Sequence, residues 1–150
     1  MPMPKKDRNR CLNCRKETPR PGYKYCSNQC QSDYQYKDYI NKWLEGKESG
    51  LQGHGVVSRY VKRYLRAKYH NKCYVCGWAQ TNVVTGQVPL VADHIDGNWK
   101  NNVESNLRLI CPNCDSISAT YAGLNRGKSN RKRNVSVRAK EGRVFLSTPK

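Results

Sequence analysis

Residues Asp93-His94-Ile95-Asp96-Gly97-Asn98, followed by Asn106-Leu107 and then Cys111-Pro112-Asn113-Cys114-Asp115, gather acids, amides and one histidine in a short stretch. Phosphodiester hydrolysis needs an activated water, neutralisation of the charge growing on the phosphate, and help for the departing oxygen. A neutral imidazole with a pKa of about 6.5 can take the water's proton, and one divalent ion on two protein ligands can meet the other needs. The chain has three histidines. His54 stands in a Gly-rich stretch and His70 at the end of an expected helix, so His94 alone lies among acids and beside a cysteine pair.

The eight cysteines fall in four close pairs: Cys11 with Cys14, Cys26 with Cys30, Cys73 with Cys76, and Cys111 with Cys114. Two thiolates two or three residues apart on a turn grip one ion from the same side, and two such pairs complete a tetrahedral site. The spacing therefore points to two structural Zn2+ sites rather than disulfides. Each would contribute on the order of 10 kcal/mol or more of folding free energy. That matters in a chain of 150 residues of which only 37% are apolar, because burial alone stabilises so polar a chain poorly.

The elements that must position these groups can be read from pattern. Residues 1–32 form an N-terminal four-cysteine module, with Pro19, Pro21 and Gly22 turning the chain between the pairs. Residues 33–55 hold a helix and a flexible linker. The helix follows from Tyr36, Tyr39, Ile40, Trp43 and Leu44 at helical spacing, with Gly46 as its stop. The linker is residues 46–55, with four glycines. Residues 56–125 form the core. They comprise a helix over 56–70, a strand over 88–92, a polar loop, a strand over 107–110, and a helix from Pro112 to about Gly123. Residues 126–150 are a basic tail, with nine Lys or Arg and one acid.

Charge indicates the partner. Lys and Arg number 28 against 11 Asp and Glu, a formal +17, and an excess of that size marks a polyanion, nucleic acid before an anionic membrane. Candidate DNA contacts are Arg59, Lys62, Arg63 and Arg66 on one face of the second helix. Trp99 and Lys100 in the polar loop join them, as do Arg126, Lys128, Arg131, Lys132 and Arg133 in the tail. With no long apolar run and no apolar signal core, the expectation is an intracellular protein that is neither secreted nor membrane-bound.

The stretch DHIDGNWKNNVESNLRLICPNCDSISATYAG, residues 93–123, preceded by the cysteine pair in CYVCGW, resembles the HNH, or ββα-metal, nuclease family. His94 and Asn106 lie 12 residues apart, and Asn106 and Asp115 nine. With the preceding helix the resemblance covers about half of the chain, and the N-terminal module is similar to those of phage-type HNH proteins. The resemblance implies a small zinc-stabilised α+β fold built on a ββα-metal core. It implies that His94 is the general base, that Asn106 ties the loop together and so fixes His94, and that Asp93 and Asp115 hold one catalytic ion. The family usually has His, sometimes Asn, at the third position. Asp115 makes the ligand set all-oxygen, which suits Mg2+ or Mn2+.

The expected function is metal-dependent hydrolysis of double-stranded DNA, leaving 5′-phosphate and 3′-hydroxyl ends as the resemblance implies. One such site cuts one strand per encounter, so a monomer nicks and a homodimer can cut both strands; the sequence leaves the oligomeric state open. The setting could be a free-standing homing endonuclease, a phage nuclease working near packaging, or host defence; the zinc module and basic tail flanking the core favour the first. The competing reading is a non-catalytic, zinc-containing nucleic-acid-binding protein, which explains the charge and the cysteines but not the Asp-His pair.

Overall fold

The computed structural model describes residues 7–53 and 55–125. Helix α1 spans Asn28–Leu44, strands β1 and β2 Leu51–Gln52 and Val56–Val57, and helix α2 Arg59–Lys68. Strands β3 and β4 follow at Val91–His94 and Leu107–Ile110, then helix α3 at Pro112–Ser116. The described residues form a small α+β arrangement with two separate antiparallel strand pairs, β1 with β2 and β3 with β4, alongside the helices.

Helix α1 begins earlier than the apolar periodicity indicates, because Ser27 caps it: the Cys30 N–H donates to Ser27 Oγ at 3.1 Å. Cys30 thereby sits in the first turn, and the helix runs without a break through residue 32. The backbone turns away at Gly46, whose φ is +75°. Ser58 caps α2 in the same way, accepting from the Tyr60 N–H. The expected helix over 56–70 is therefore shorter at both ends. Residues 56–57 are strand, and His70 and Asn71, with φ of 51° and 55°, stop the helix.

The apolar faces of these elements meet in one cluster. Ile40 and Trp43 of α1, Val57 of β2, Val61 and Leu65 of α2, and Leu107 and Leu109 of β4 are all buried together. Tyr36, Tyr39, Tyr60, Tyr64 and Tyr69 pack around them. Fully burying one such aliphatic side chain is worth about 1.5–3 kcal/mol. A second, smaller cluster joins Ile110 to Cys73 and Cys111, with Trp78 and Leu90 against it.

Three expectations need correction. The first strand lies at 91–94 rather than 88–92. Pro89 has no N–H to give a ladder, and Val88 is instead buried in a loop where its carbonyl accepts from Arg66 Nη1 at 3.1 Å. The last helix stops at Ser116, well short of Gly123. The following Ile-Ser-Ala-Thr run has weak helix formers and no apolar face to bury, Ile117 being 83% exposed, so nothing extends so short a helix. The glycine-rich stretch read as a linker contributes β1 of a short hairpin, closed where the Ser58 N–H donates to the Gly50 carbonyl at 2.8 Å.

Gly50 explains that stretch better than flexibility does. Its φ is +71°, and a Cβ there would lie 2.7 Å from Trp43 Nε1 and 3.0 Å from Asn102 Cβ. Glycine is what lets the chain pass between helix and loop. Gly53 has the same backbone sign, φ +63°, but nothing within 4 Å of a Cβ. Alanine at either position meets the left-handed backbone penalty; only at Gly50 does it also clash. Gly50→Ala should therefore lower the unfolding free energy by about 1–3 kcal/mol more than Gly53→Ala. Urea denaturation of the two variants checks this, and equal losses would show that the close approach carries no energy.

Candidate active site

Sulfur geometry comes first. Cys11, Cys14, Cys26 and Cys30 form one group and Cys73, Cys76, Cys111 and Cys114 another, and within each group the sulfurs all lie within 4.8 Å of one another. All eight are free thiols. Sulfur–sulfur distances of 3.5 Å for Cys14–Cys26, 3.4 Å for Cys26–Cys30 and 3.7 Å for Cys76–Cys111 are far longer than a disulfide bond. They approach the separation of about 3.8 Å that a tetrahedron of 2.3 Å zinc–sulfur bonds requires.

The thiols also compete for charge. Burial opposes ionisation of Cys73, but the N–H groups of Cys76, Cys111 and Val75 bring it down to about 6. Cys114, against Cys76 and Cys111, is pushed up to about 12. In the N-terminal group burial likewise opposes ionisation of Cys11, and the N–H groups of Cys14, Cys26 and Asn13 bring it to about 6, while Cys26 rises to about 12 against Cys30 and Cys14. Four thiolates this close require a cation. Both groups could hold zinc, and the eight cysteines are those the spacing singles out.

The second cluster ties down the outer end of the strand–loop–strand unit. The Tyr74 N–H donates to the Leu109 carbonyl at 2.8 Å and the Cys111 N–H to Cys73 Sγ at 3.2 Å, tying the first cysteine turn to β4. Cys111 is also the N-cap of α3, with Pro112 in its first turn. Strands β3 and β4 pair Val91 with Ile110, Ala92 with Leu109, Asp93 with Arg108, and His94 with Leu107. Successive strand residues leave opposite faces. Asp93 therefore shares a face with Arg108, while His94, the last residue of β3, shares one with Leu107 of the core.

On the first face, Arg108 Nε donates to Asp93 Oδ2 at 2.8 Å, and both side chains are mostly buried. Helix α3 packs against β3. It carries Asp115 in its first turn, where burial and then the charge of Asp93 raise its carboxyl above the usual range, against the pull of Arg108. Asp93 and Asp115 are thus electrostatically coupled, with Arg108 paired to Asp93 and its charge felt at Asp115, and they are the carboxylates that could hold a hard divalent ion. Arg108 was not singled out from the sequence. Its place opposite Asp93 follows from the pairing register once the loop length is known.

On the second face, His94 Nε2 lies 2.9 Å from Asn102 Oδ1. Loop 95–106 is closed at its neck by the Ile95 N–H on the Asn106 carbonyl. Asn106, buried, uses its whole amide. Its Oδ1 accepts from the Asp96 N–H at 3.1 Å, and its Nδ2 donates to Asp96 Oδ1 at 2.9 Å and to the Asn101 carbonyl at 2.8 Å. Asp96 in turn accepts from the Asn98 N–H and from Asn101 Nδ2. Burial raises its carboxyl, but the bonds from Asn101, Asn98 and Asn106 outweigh that and hold it below the usual range. Asn106 thus closes the loop while the direct contact to His94 is made by Asn102, which the sequence shows only as one more loop asparagine.

Helix α2 braces the same loop. Glu104 accepts from Tyr64 Oη and from Lys68 Nζ; Lys68 and then Tyr64 depress its carboxyl, and Tyr64 is pushed up to about 12. The opposite side of α2 carries Arg59, Lys62, Arg63 and Arg66, which line a groove of about 610 Å³ together with Ala67, Asn71 and Gln87. Three of these are partly engaged within the chain, Arg59 lying over the Tyr60 ring at 5.1 Å from its centre. Arg63 lies 3.6 Å from Asp33 and over the Tyr36 ring, and Arg66 bonds Asn71 and the Val88 carbonyl. Trp99 is half-buried, with its carbonyl accepting from Asn102, and Lys100 is exposed with Nζ 5.6 Å from the Trp99 ring centre. Arg126, Lys128, Arg131, Lys132 and Arg133 lie outside the described residues.

The chain is similar to the H-N-H endonuclease F-TflIV of Escherichia phage T5. The two are 33% identical over 94 residues, which cover 61% of this chain and 40% of that protein. The chain thus spans well under half the length of the curated relative it matches. No family model matches it and no solved structure does. Among the described residues no helix is long and apolar enough to cross a membrane.

If the sulfur clusters hold the core together through zinc, the purified chain carries two zinc ions by elemental analysis. Cys73→Ser should then lower the count to one and abolish the near-ultraviolet circular dichroism of the core, because three thiolates and a hydroxyl hold the ion weakly. A Cys73→Ser protein with two zincs and an unchanged spectrum would contradict the assignment.

Proposed function

We propose that this protein is an HNH-type endonuclease that hydrolyses DNA phosphodiester bonds, acting on double-stranded DNA with Mg2+ or Mn2+ inside the cell. The observation that supports the reading is the electrostatic coupling of Asp93, near the end of β3, to Asp115, on the first turn of α3, with His94 the next residue along β3. The similarity to a phage H-N-H endonuclease supports the same reaction class. Burial and then the charge of Asp93 raise the Asp115 carboxyl, and a divalent ion bound there would relieve that repulsion.

In this reading Asp93 and Asp115 hold the ion, which when bound neutralises charge on the phosphate and on the departing 3′ oxygen. His94 accepts the proton of the attacking water on its ring. Asn106 and Asp96 keep the loop closed so that the ring does not swing. Arg108 balances the two carboxylates before the ion arrives. The cationic groove along α2 and the basic residues 126–133 follow the phosphate backbone. A single site of this kind nicks one strand, and the flanking zinc module and basic tail suit a homing-type phage enzyme reading a long target. One observation favours a second reading. Asp93 is already neutralised by Arg108, as it would be in a zinc-containing nucleic-acid-binding protein that has lost catalysis.

Nicking of supercoiled plasmid separates the two. With Mg2+ or Mn2+ the wild-type chain should convert it to the open circle, and His94→Ala should be slower by about 100-fold or more while still retarding DNA on a gel. Wild-type and His94→Ala proteins that are equally inert would leave the binding reading standing. Asp115→His should keep activity and shift its metal preference toward Ni2+; an unchanged preference would remove Asp115 from the ion. Affinity for a duplex should fall steeply with salt, about one power of salt concentration per phosphate contacted. A flat response would exclude broad backbone contact.

A further inference from the structure

We infer that Asn102 is a positioning residue for His94, and that Trp43 of α1 holds Asn102 in place, which makes the first helix part of the catalytic apparatus. The inference rests on the nuclease reading for its consequence, but not for its geometry.

The orientation of the Asn102 amide is decided by its other end. Its Nδ2 donates to the Trp99 carbonyl at 3.0 Å. Turning the amide over would set Oδ1 against that carbonyl oxygen, two acceptors facing each other with no proton between them. Oδ1 therefore faces His94, at 2.9 Å from Nε2, and an amide oxygen only accepts. The proton of the neutral ring must then sit on Nε2, leaving the lone pair on Nδ1 as the basic site. One hydrogen bond thus sets both the tautomer and the ring's direction.

Asn102 is itself buried, 4% exposed, and its position comes from outside the strand–loop–strand unit. The Trp43 indole Nε1 donates to the Asn102 carbonyl at 2.8 Å, a buried bond across 59 residues of chain. Gly50 fills the angle between them so closely that a Cβ would touch both. The Trp43 ring is pinned in turn by Tyr64 of α2, edge-on at 5.5 Å between centres. The sequence Trp43, Asn102, His94 is therefore a line of fixed groups running from α1 to the imidazole. A loop asparagine needing only to make a turn has no reason to be buried with all three of its polar ends satisfied.

The test uses the full, zinc-loaded chain labelled with 15N at histidine. At neutral pH and before any Mg2+ or Mn2+ is added, the His94 ring should show a protonated Nε2, an unprotonated Nδ1, and a ring N–H proton slow enough to exchange with water to be seen directly. Asn102→Leu keeps the volume and removes the acceptor, so that proton signal should vanish. Asn102→Asp restores the acceptor for Nε2 but sets its second oxygen against the Trp99 carbonyl, so it should bring the signal back only in part. Trp43→Phe, which keeps an aromatic ring but not the indole N–H, should broaden the signal without removing zinc. In single-turnover nicking, Asn102→Leu should lose about 10–100-fold in rate, with DNA affinity within about twofold of wild type, and Asn102→Asp should recover only part of it. A wild-type ring protonated on Nδ1 overturns the inference whether or not the protein cuts DNA, and so does a ring N–H signal that survives in Asn102→Leu. If the spectra are as stated but no variant nicks, the positioning stands and the nuclease reading falls.

Discussion

Four sulfurs within 4.8 Å of one another cannot all be charged without a cation among them, and this chain has two such groups. The requirement organises the rest of the molecule. The N-terminal group takes two sulfurs from a turn and two from the start of α1, so it fixes where that helix begins. The second takes two sulfurs from the turn at residues 73–76 and two from the junction of β4 and α3. It thereby sets the end of β4 and the direction in which α3 leaves it. Among the described residues the apolar cores are small: seven buried side chains in one and three in the other, two of the latter being cysteines. Interactions of this number stabilise a domain only marginally against chain entropy. The sulfur groups supply what burial does not.

On that frame the strand–loop–strand unit divides its labour between two faces. The face bearing Asp93 and Arg108, against which α3 brings Asp115, is electrostatic: Arg108 pairs with Asp93, and the charges of both are felt at Asp115. The face bearing His94 is held by hydrogen bonds, from the ring to Asn102 and from Asn102 to the rest of the molecule. Asn106 serves neither directly. It closes the loop that carries Asn102, and Glu104 anchors the same loop to α2 through Tyr64 and Lys68. A loop of twelve residues is thus tied at its neck, at its side and from α1, which explains how a segment with little regular structure can hold a reactive ring in one direction.

Much of this was legible in the chain itself. The pairing of the eight cysteines was, because metal ligation imposes short fixed spacings that survive any arrangement of the rest. So was β4, whose Leu107 and Leu109 alternate against Arg108, and so was the entrance to α3 at Pro112. The shift of the first strand was legible only in part. Pro89 carried the signal, but the apolar run around it suggested a strand that its missing N–H forbids. The Gly-rich stretch was misread because a glycine selected for close approach and a glycine selected for freedom look the same in one dimension.

Residue types and short spacings by themselves singled out the cysteine pairs, the strong positive charge and His94, since each depends on chemistry local to a few residues, while the family resemblance implied Asp93, Asn106 and Asp115. Tertiary structure alone decided which partners those residues have. Arg108 meets Asp93 through the strand register, Trp43 meets Asn102 across 59 residues, and Asn102 meets His94 because the loop folds back on its own strand. A hydrogen bond is decided within a few tenths of an ångström and by direction, and contacts between distant parts of a chain leave no periodic trace in its order. That is why the histidine could be named from the sequence while the residue that aims it could not.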